Sequence, residues 1–224
     1  MSSRLSQLPG RLGYEFKDKA LLDLALTHRS VGARNNERME FLGDAILGQV
    51  IATTLFEQFP LATEGELSRM RASLVKGETL AQLANEIKLG DCLNLGSGEL
   101  KSGGFRRQSI LADAFEAIIG AVFLDSNYAT VKNFILSFME QRLKNSSPEN
   151  SAKDPKTRLQ EYLQQKGLSL PEYVVKSTEG SAHDQTFEVN CQVNLIKQQV
   201  IGKGRSRRKA EQDAASKILE LLGT

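Results

Sequence analysis

The amino-acid sequence predicts two unlike parts: a mainly α region folded as a helical bundle, and a small α+β region of order α-β-β-β-α with a three-stranded antiparallel sheet. Apolar residues recur at helical spacing through most of residues 19–143. A polar stretch with two prolines, KNSSPENSAKDP, follows at 144–155, and beyond it short alternating or β-branched runs take over. At 224 residues the chain is long enough for one or two domains and at least one sizeable core.

The helical segments fall at 19–30, 36–58, 65–87, 108–124 and 128–143, broken at Pro60, Gly90 and the glycine-rich GSGELKSGGF. ATEGELSRMRASL opens the third of them with Thr63 as N-cap and Glu66 three residues on. That is the capping-box spacing, and it gives Glu66, and in part Glu64, a structural reason to be there. After the polar stretch, PKTRLQEYLQQKG reads as a helix begun by Pro155 and ended by Gly167. EYVVKSTEG, QTFEVNCQV and QQVIGKGR read as strands, and SRRKAEQDAASKILELLG as a closing helix. The expected boundaries are 1–145 for the helical domain, 146–153 for a flexible linker and 154–224 for the second domain.

Composition excludes several classes. With 40% apolar and 25% charged residues the chain is an ordinary globular one. No uninterrupted apolar run reaches the roughly 18 residues of a membrane span, and the opening MSSRLSQLPGRLGYEF lacks the apolar stretch of a signal peptide. A cytoplasmic protein without membrane attachment is expected. Cys92 and Cys191 show neither CxxC nor metal-ligand spacing and are read as reduced and structural. The net charge of +2 says little about partners; the distribution says more, because the basic residues of the second part are clustered.

The helix in NNERMEFLGDAILGQVI poses a problem of charge. At about 100° per residue with Glu37 at zero, Glu40 falls near 300° and Asp44 near 340°, so three carboxylates share one edge. Met39, Phe41, Leu42, Ile46, Leu47, Val50 and Ile51 occupy the rest, and a helix apolar nearly all round is expected to be buried. In SILADAFEAIIGAVFLD the same construction puts Asp113 and Glu116 on one edge of a second apolar helix, with Gly120 beside them as Gly48 is beside Asp44. These small residues are expected to leave room for a close approach. Most helical acids are simply solvated, but repelling carboxylates in apolar surroundings call for a cation, and Arg38 points about 100° away from Glu37. A hard, oxygen-preferring divalent ion such as Mg²⁺ fits this donor set. No His or Cys stands at ligand spacing, which argues against zinc, and neither His28 nor His183 forms the Glu-x-x-His pair of a di-iron bundle. A carboxylate-held metal points to phosphodiester hydrolysis, with a purely structural cation still open.

The second part carries six cations from Lys197 to Lys209 and no acid in between. Ser206 is a good N-cap, yet Arg207, Arg208 and Lys209 in the first turn oppose the helix dipole. An external anion there, bound by exposed N–H groups and arginines, would resolve the conflict. Thr157, Gln160 and Glu161 line one side of the preceding helix, and His183 falls at a hairpin tip. In an α-β-β-β-α unit these positions suit contact across the wide minor groove of double-stranded RNA. Tyr162, Tyr173 and Phe187 are expected in the core rather than as stacking platforms, which argues against a single-strand binder.

Several of these stretches resemble one family. NERMEFLGDAIL is similar to the signature of bacterial ribonuclease III, GELKSGGFRRQSILADAFEAIIGAVFLD to its second acidic helix, and DPKTRLQEYLQ and SRRKAEQDAA to the start and the KKxA signature of its double-stranded-RNA-binding domain. The resemblance implies a Mg²⁺-dependent homodimeric endoribonuclease, with Mn²⁺ able to substitute and no nucleotide cofactor. It would cut double-stranded RNA to staggered ends with 5′-phosphates and 3′-hydroxyls, in processing of ribosomal precursors and messengers. It implies metal binding by Glu40, Asp44, Asp113 and Glu116, with Asp44 and Glu116 catalytic and Glu37 and Glu64 as further acids of the catalytic valley. Thr157, Gln160, His183, Arg207, Arg208 and Lys209 become the RNA contacts. Met39 and Ala45 stand where Leu and Ser are more usual, and neither is a ligand position. The competing reading is a non-catalytic double-stranded-RNA-binding dimer.

Overall fold

The computed structural model describes residues 3–148, 154–180 and 185–223. They form two compact units that divide near residue 151. The first contains α1 (Ser3–Leu12), α2 (Lys19–Ala25), α3 (Glu37–Gln58), α4 (Glu64–Val75), α5 (Gly77–Glu86), α6 (Ser97–Lys101), α7 (Gln108–Asp125) and α8 (Tyr128–Lys144). Single 3-10 turns at Leu89–Cys92 and Gly104–Arg106 join them.

α7 is the axis of this unit. Its run Ile110, Leu111, Ala112, Ala114, Phe115 and Ala117 to Val122 is buried, so every side of the helix needs a neighbour, and α3 supplies the most intimate one. Two glycines set that approach. A Cβ on Gly43 would stand 1.8 Å from the carbonyl oxygen of Glu116, and one on Gly120 would stand 2.3 Å from that of Met39. Backbone therefore meets backbone where α3 crosses α7, and the acids beside the crossing are brought together. The room expected beside Gly120 is filled by α3 itself, while at Gly48 nothing lies within 4 Å and that position is not at the crossing.

The structure departs from the sequence expectation at five places, one of them the one-turn α6 inside the glycine-rich stretch expected as a break. An N-terminal helix, α1, precedes the first expected one. The run 65–87 is two helices, because Lys76 adopts an extended conformation (ψ 147°) and Thr79 Oγ1 donates to the Ser73 carbonyl across the break. α2 ends at Ala25, after which residues 26–30 run beside 94–96: Asn94 donates to the Leu26 carbonyl, His28 to the Asn94 carbonyl, and Gly96 to Ser30 Oγ. Finally, α3 is not buried all round. Its inner face carries Leu47, Val50, Ile51 and Leu55 into the core, but Phe41 is 79% and Phe56 69% exposed. By length and composition this 22-residue helix could cross a bilayer, and its inner face accounts for much of that apolar character.

The capping box at Thr63 and Glu66 forms as expected. At the start of α3, buried Asn36 donates its Nδ2 to the Ala25 carbonyl and its backbone N–H to Thr27, while its carbonyl accepts from Met39 and Glu40. This fixes the end of α2 and the loop after it against the turn that carries Glu37 and Glu40.

The second unit contains α9 (Pro155–Gln165), β1 (Glu172–Glu179), β2 (Thr186–Val193), β3 (Ile196–Gly204) and α10 (Arg207–Leu222). The three strands form one antiparallel sheet in the order β1-β2-β3, with bulges between Val175 and Ser177 and between Cys191 and Val193. α9 and α10 cover one face through Leu159, Leu163, Ala214, Ala215, Ile218 and Leu219. Asp154 and Ser206 cap the two helices, and Gly167 takes a left-handed conformation (φ +68°) after α9. Both cysteines are free and buried. Tyr162 and Tyr173 pack against this core, and Phe187 is half-buried.

Candidate metal centre and nucleic-acid interface

The crossing of α3 over α7 places one carboxylate of the first helix against two of the second. Glu40, Asp113 and Glu116 are half-buried, and each has an oxygen within 4.8 Å of the others. Asp44, one turn beyond Glu40 and exposed, is close enough for its charge to act on both Glu40 and Glu116. Burial first, then the charges of Asp44, Asp113 and Glu40, push the Glu116 carboxyl up to about 8. Glu40 is also raised, by burial and then by Asp113 and Glu37, with Arg29 opposing. Asp113 is raised by burial, with His28 and Arg29 opposing. Among the described residues, Glu40, Asp113 and Glu116 form no ion pair with Lys or Arg. A trio of half-buried oxygen donors that resist ionising together fits a hard divalent cation, which restores their charged forms by binding them.

Beside the acids lies a cleft of about 300 Å³. Glu37, Glu40 and Asp113 line it together with His28, Arg29, Glu99, Arg107 and Ser109. Arg107 pairs with Glu99 at 2.7 Å, where Glu99 is 19% exposed, and Arg29 approaches Glu37 at 3.5 Å. His28 Nδ1 accepts from the Ser30 N–H at 3.2 Å. Acids and cations thus share one opening, which suits a group that brings its own phosphate to a metal. Arg29, Glu99 and Arg107 were missed by helical spacing because they come from a loop, a one-turn helix and the residue before α7. The signal for Arg107 was the cationic pair in GGFRRQ just before the second acidic helix, and nothing comparable marked Arg29 or Glu99. Of the further acids expected here, Glu37 lines the cleft, whereas Glu64 does not. Glu64 is exposed at the start of α4 and accepts the Ser68 hydroxyl at 2.7 Å.

In the second unit, Ser206 Oγ accepts the Lys209 N–H, and Arg207, Arg208 and Lys209 are all exposed around that helix end. Arg207 is tied by Nε to Glu211 at 2.9 Å, so one of the three charges that oppose the dipole is answered inside the chain. Arg208 and Lys209 form no ion pair among the described residues. Thr157 donates its hydroxyl to Asp154 at 3.0 Å, and Gln160 is exposed on the same helix. His183 lies outside the described residues.

Comparison with known proteins agrees with both units. A ribonuclease-III-like family model matches residues 18–143, and a double-stranded RNA binding motif matches residues 155–222. Ribonuclease 3 of Shewanella amazonensis is 61% identical over 218 residues, which span 97% of this chain and 96% of the relative. The nuclease domain of ribonuclease III from Campylobacter jejuni superposes with a TM-score of 0.62 at 42% identity, covering 66% of this chain and all of that domain. A second structure of the same domain, described for flexibility in the region involved in dimer formation, gives 0.61 at 44% identity over 62% of this chain and 99% of that one.

Proposed function

The chain belongs to the ribonuclease III family, an endoribonuclease with a double-stranded-RNA-binding domain, and from that premise we propose that it cuts double-stranded RNA in a Mg²⁺-dependent reaction. Mn²⁺ would serve in place of Mg²⁺, and the products would be staggered ends with 5′-phosphates and 3′-hydroxyls. Ribosomal-RNA precursors and other structured transcripts in the cytoplasm are the natural substrates under this reading. The observation that carries it is the convergence of Glu40, Asp113 and Glu116 within 4.8 Å at a helix crossing.

Glu40, Asp44, Asp113 and Glu116 would hold the cation. A divalent ion there supplies polarisation of the scissile phosphate and a more acidic bound water. The protein's own part is to keep the donors together and uncommitted. The Gly43 and Gly120 contact holds α3 against α7, and no ion pair among the described residues ties up Glu40, Asp113 or Glu116. Glu116, raised to about 8, gives up its proton on ligation, so cation affinity rises with pH through neutrality. Arg107, held by Glu99, and Arg29, more exposed beside Glu37, present positive charge to a phosphate that enters the cleft.

The working division is a catalytic and dimerisation domain over 1–145, a linker over 146–153 and a duplex-binding domain over 154–224. Homodimerisation is supported by the open face of α3. Phe41 projects there, and a shallow cavity of about 760 Å³ lined by Leu24, Met39, Leu42 and Leu124 lies on the same unit. An exposed aromatic side chain on an otherwise core-forming helix suits a two-fold contact between copies. In the duplex-binding domain, Thr157 and Gln160 of α9, with Arg207, Arg208 and Lys209 and the N-terminal N–H groups of α10, would grip the sugar-phosphate backbone, and His183 would reach the minor groove.

The test is incubation of the purified protein with a long RNA duplex, with and without Mg²⁺, followed by mapping of the product ends. Cleavage only with the metal, leaving 5′-phosphates, supports the reading. Duplex binding without cleavage in Mg²⁺ or Mn²⁺ would leave a binding module instead.

A further inference from the structure

Glu211 is a carboxylate for which duplex binding gives no obvious use. It sits in the second turn of α10 among the basic residues and yet is only 8% exposed. Both of its oxygens are occupied. Oε1 accepts from Arg207 Nε at 2.9 Å, and Oε2 accepts from Lys156 Nζ at 2.6 Å. Lys156 is itself held, with Nζ 4.5 Å from the centre of the Tyr173 ring and its backbone N–H on Gln212 Oε1 at 3.0 Å. Gln212 in turn donates to Asp154, the N-cap of α9, at 2.6 Å. The carboxylate therefore has one fixed orientation, set from the side of α9.

The consequence falls on Arg207. A guanidinium carries five N–H donors in a rigid plane, and Glu211 takes the one on Nε. The edge formed by the two Nη groups has no other ion-pair partner among the described residues, and the side chain remains 64% exposed. That edge is the one that matches a phosphate through two parallel hydrogen bonds. A free arginine would have to be ordered when the phosphate arrives, whereas this one is ordered beforehand.

We propose that Glu211 is a positioning residue for duplex RNA, holding Arg207 by Nε so that its two Nη groups meet a backbone phosphate. The proposal rests on the duplex-binding reading of the second unit, and the experiment separates the two. Binding of a fluorescent RNA duplex to the full-length protein is followed in EDTA at several KCl concentrations. The proteins are the wild type, Glu211→Gln, Arg207→Gln, the double variant and Arg207→Lys. Glu211→Gln weakens binding about tenfold in the wild-type background and adds nothing when Arg207 is already Gln. Arg207→Lys keeps the charge but lacks the planar fork, and binds more weakly than the wild type yet more tightly than Arg207→Gln. An equal loss on Glu211→Gln in both backgrounds would mean a general structural role and overturn the proposal. Tighter binding by Glu211→Gln would overturn it too, since the pairing would then only neutralise Arg207, and so would wild-type affinity in Arg207→Lys. If the wild type itself fails to bind duplex at low salt, the duplex reading falls first and takes the proposal with it.

Discussion

Glu116 concentrates the conflict at the residue scale. Its carboxyl stands at about 8 in the folded chain, against an unfolded value near the ordinary 4.5. Between those values the folded state holds a proton that the unfolded state has lost, so stability without metal falls as pH rises from about 4.5 to about 8. Thermal melts in EDTA should show a declining melting temperature across that window. Glu116→Gln, which has no charge to bury, should flatten the decline, raise the melting temperature at pH 8 and abolish cleavage with Mg²⁺. Unchanged pH dependence in the variant would place the burden on another group. The positions of Glu40, Asp44, Asp113 and Glu116 were legible in the sequence because a 3.6-residue period puts each set on one helix edge. Arg29, Glu99 and Arg107 were not, because no period connects a loop to a helix face. The Arg29 partner of Glu37 is eight residues away, beyond any helical neighbour.

Helix against helix, the decisive feature is the α3–α7 crossing. Gly43→Ala would press a methyl group to within 1.8 Å of the Glu116 carbonyl, and α3 would have to retreat or bend. The expected cost is about 3 kcal/mol by chemical denaturation, with a larger loss of cleavage than of stability because Glu40 moves away from Asp113 and Glu116. Wild-type stability and activity in that variant would show the crossing to be slack. The helices themselves were readable from apolar spacing and caps, as the Thr63 capping box and the Pro155 start show. The identity of the contact glycine was not. Gly48 and Gly120 stood beside acids in the sequence, but only packing shows that Gly43 is the partner of Gly120. The apolar circumference of α3 was equally ambiguous, since core contact and an open docking face use the same side chains.

For the whole molecule, the open face with Phe41 predicts a dimer. Phe41→Ala should weaken association by about 2 kcal/mol per copy, read as a shift toward monomer by light scattering at micromolar concentration, with cleavage reduced in step. A variant that remains fully dimeric would move the interface elsewhere. The two-part architecture was plain from the change of period at residues 144–155, and the α-β-β-β-α order from strand patterning. The pairing of Glu211 with Arg207 and Lys156 was hidden, because a lone acid after a basic cluster looks like an ordinary solvated residue.

Crystals grown with Mn²⁺, recorded at an energy where manganese scatters anomalously, test the central chemistry most directly. The expected result is an anomalous peak about 2.1 Å from carboxylate oxygens of Glu40, Asp113 and Glu116, absent in Glu116→Gln crystals. Manganese bound elsewhere, with those three carboxylates unligated in protein that still cuts duplex RNA, would contradict it.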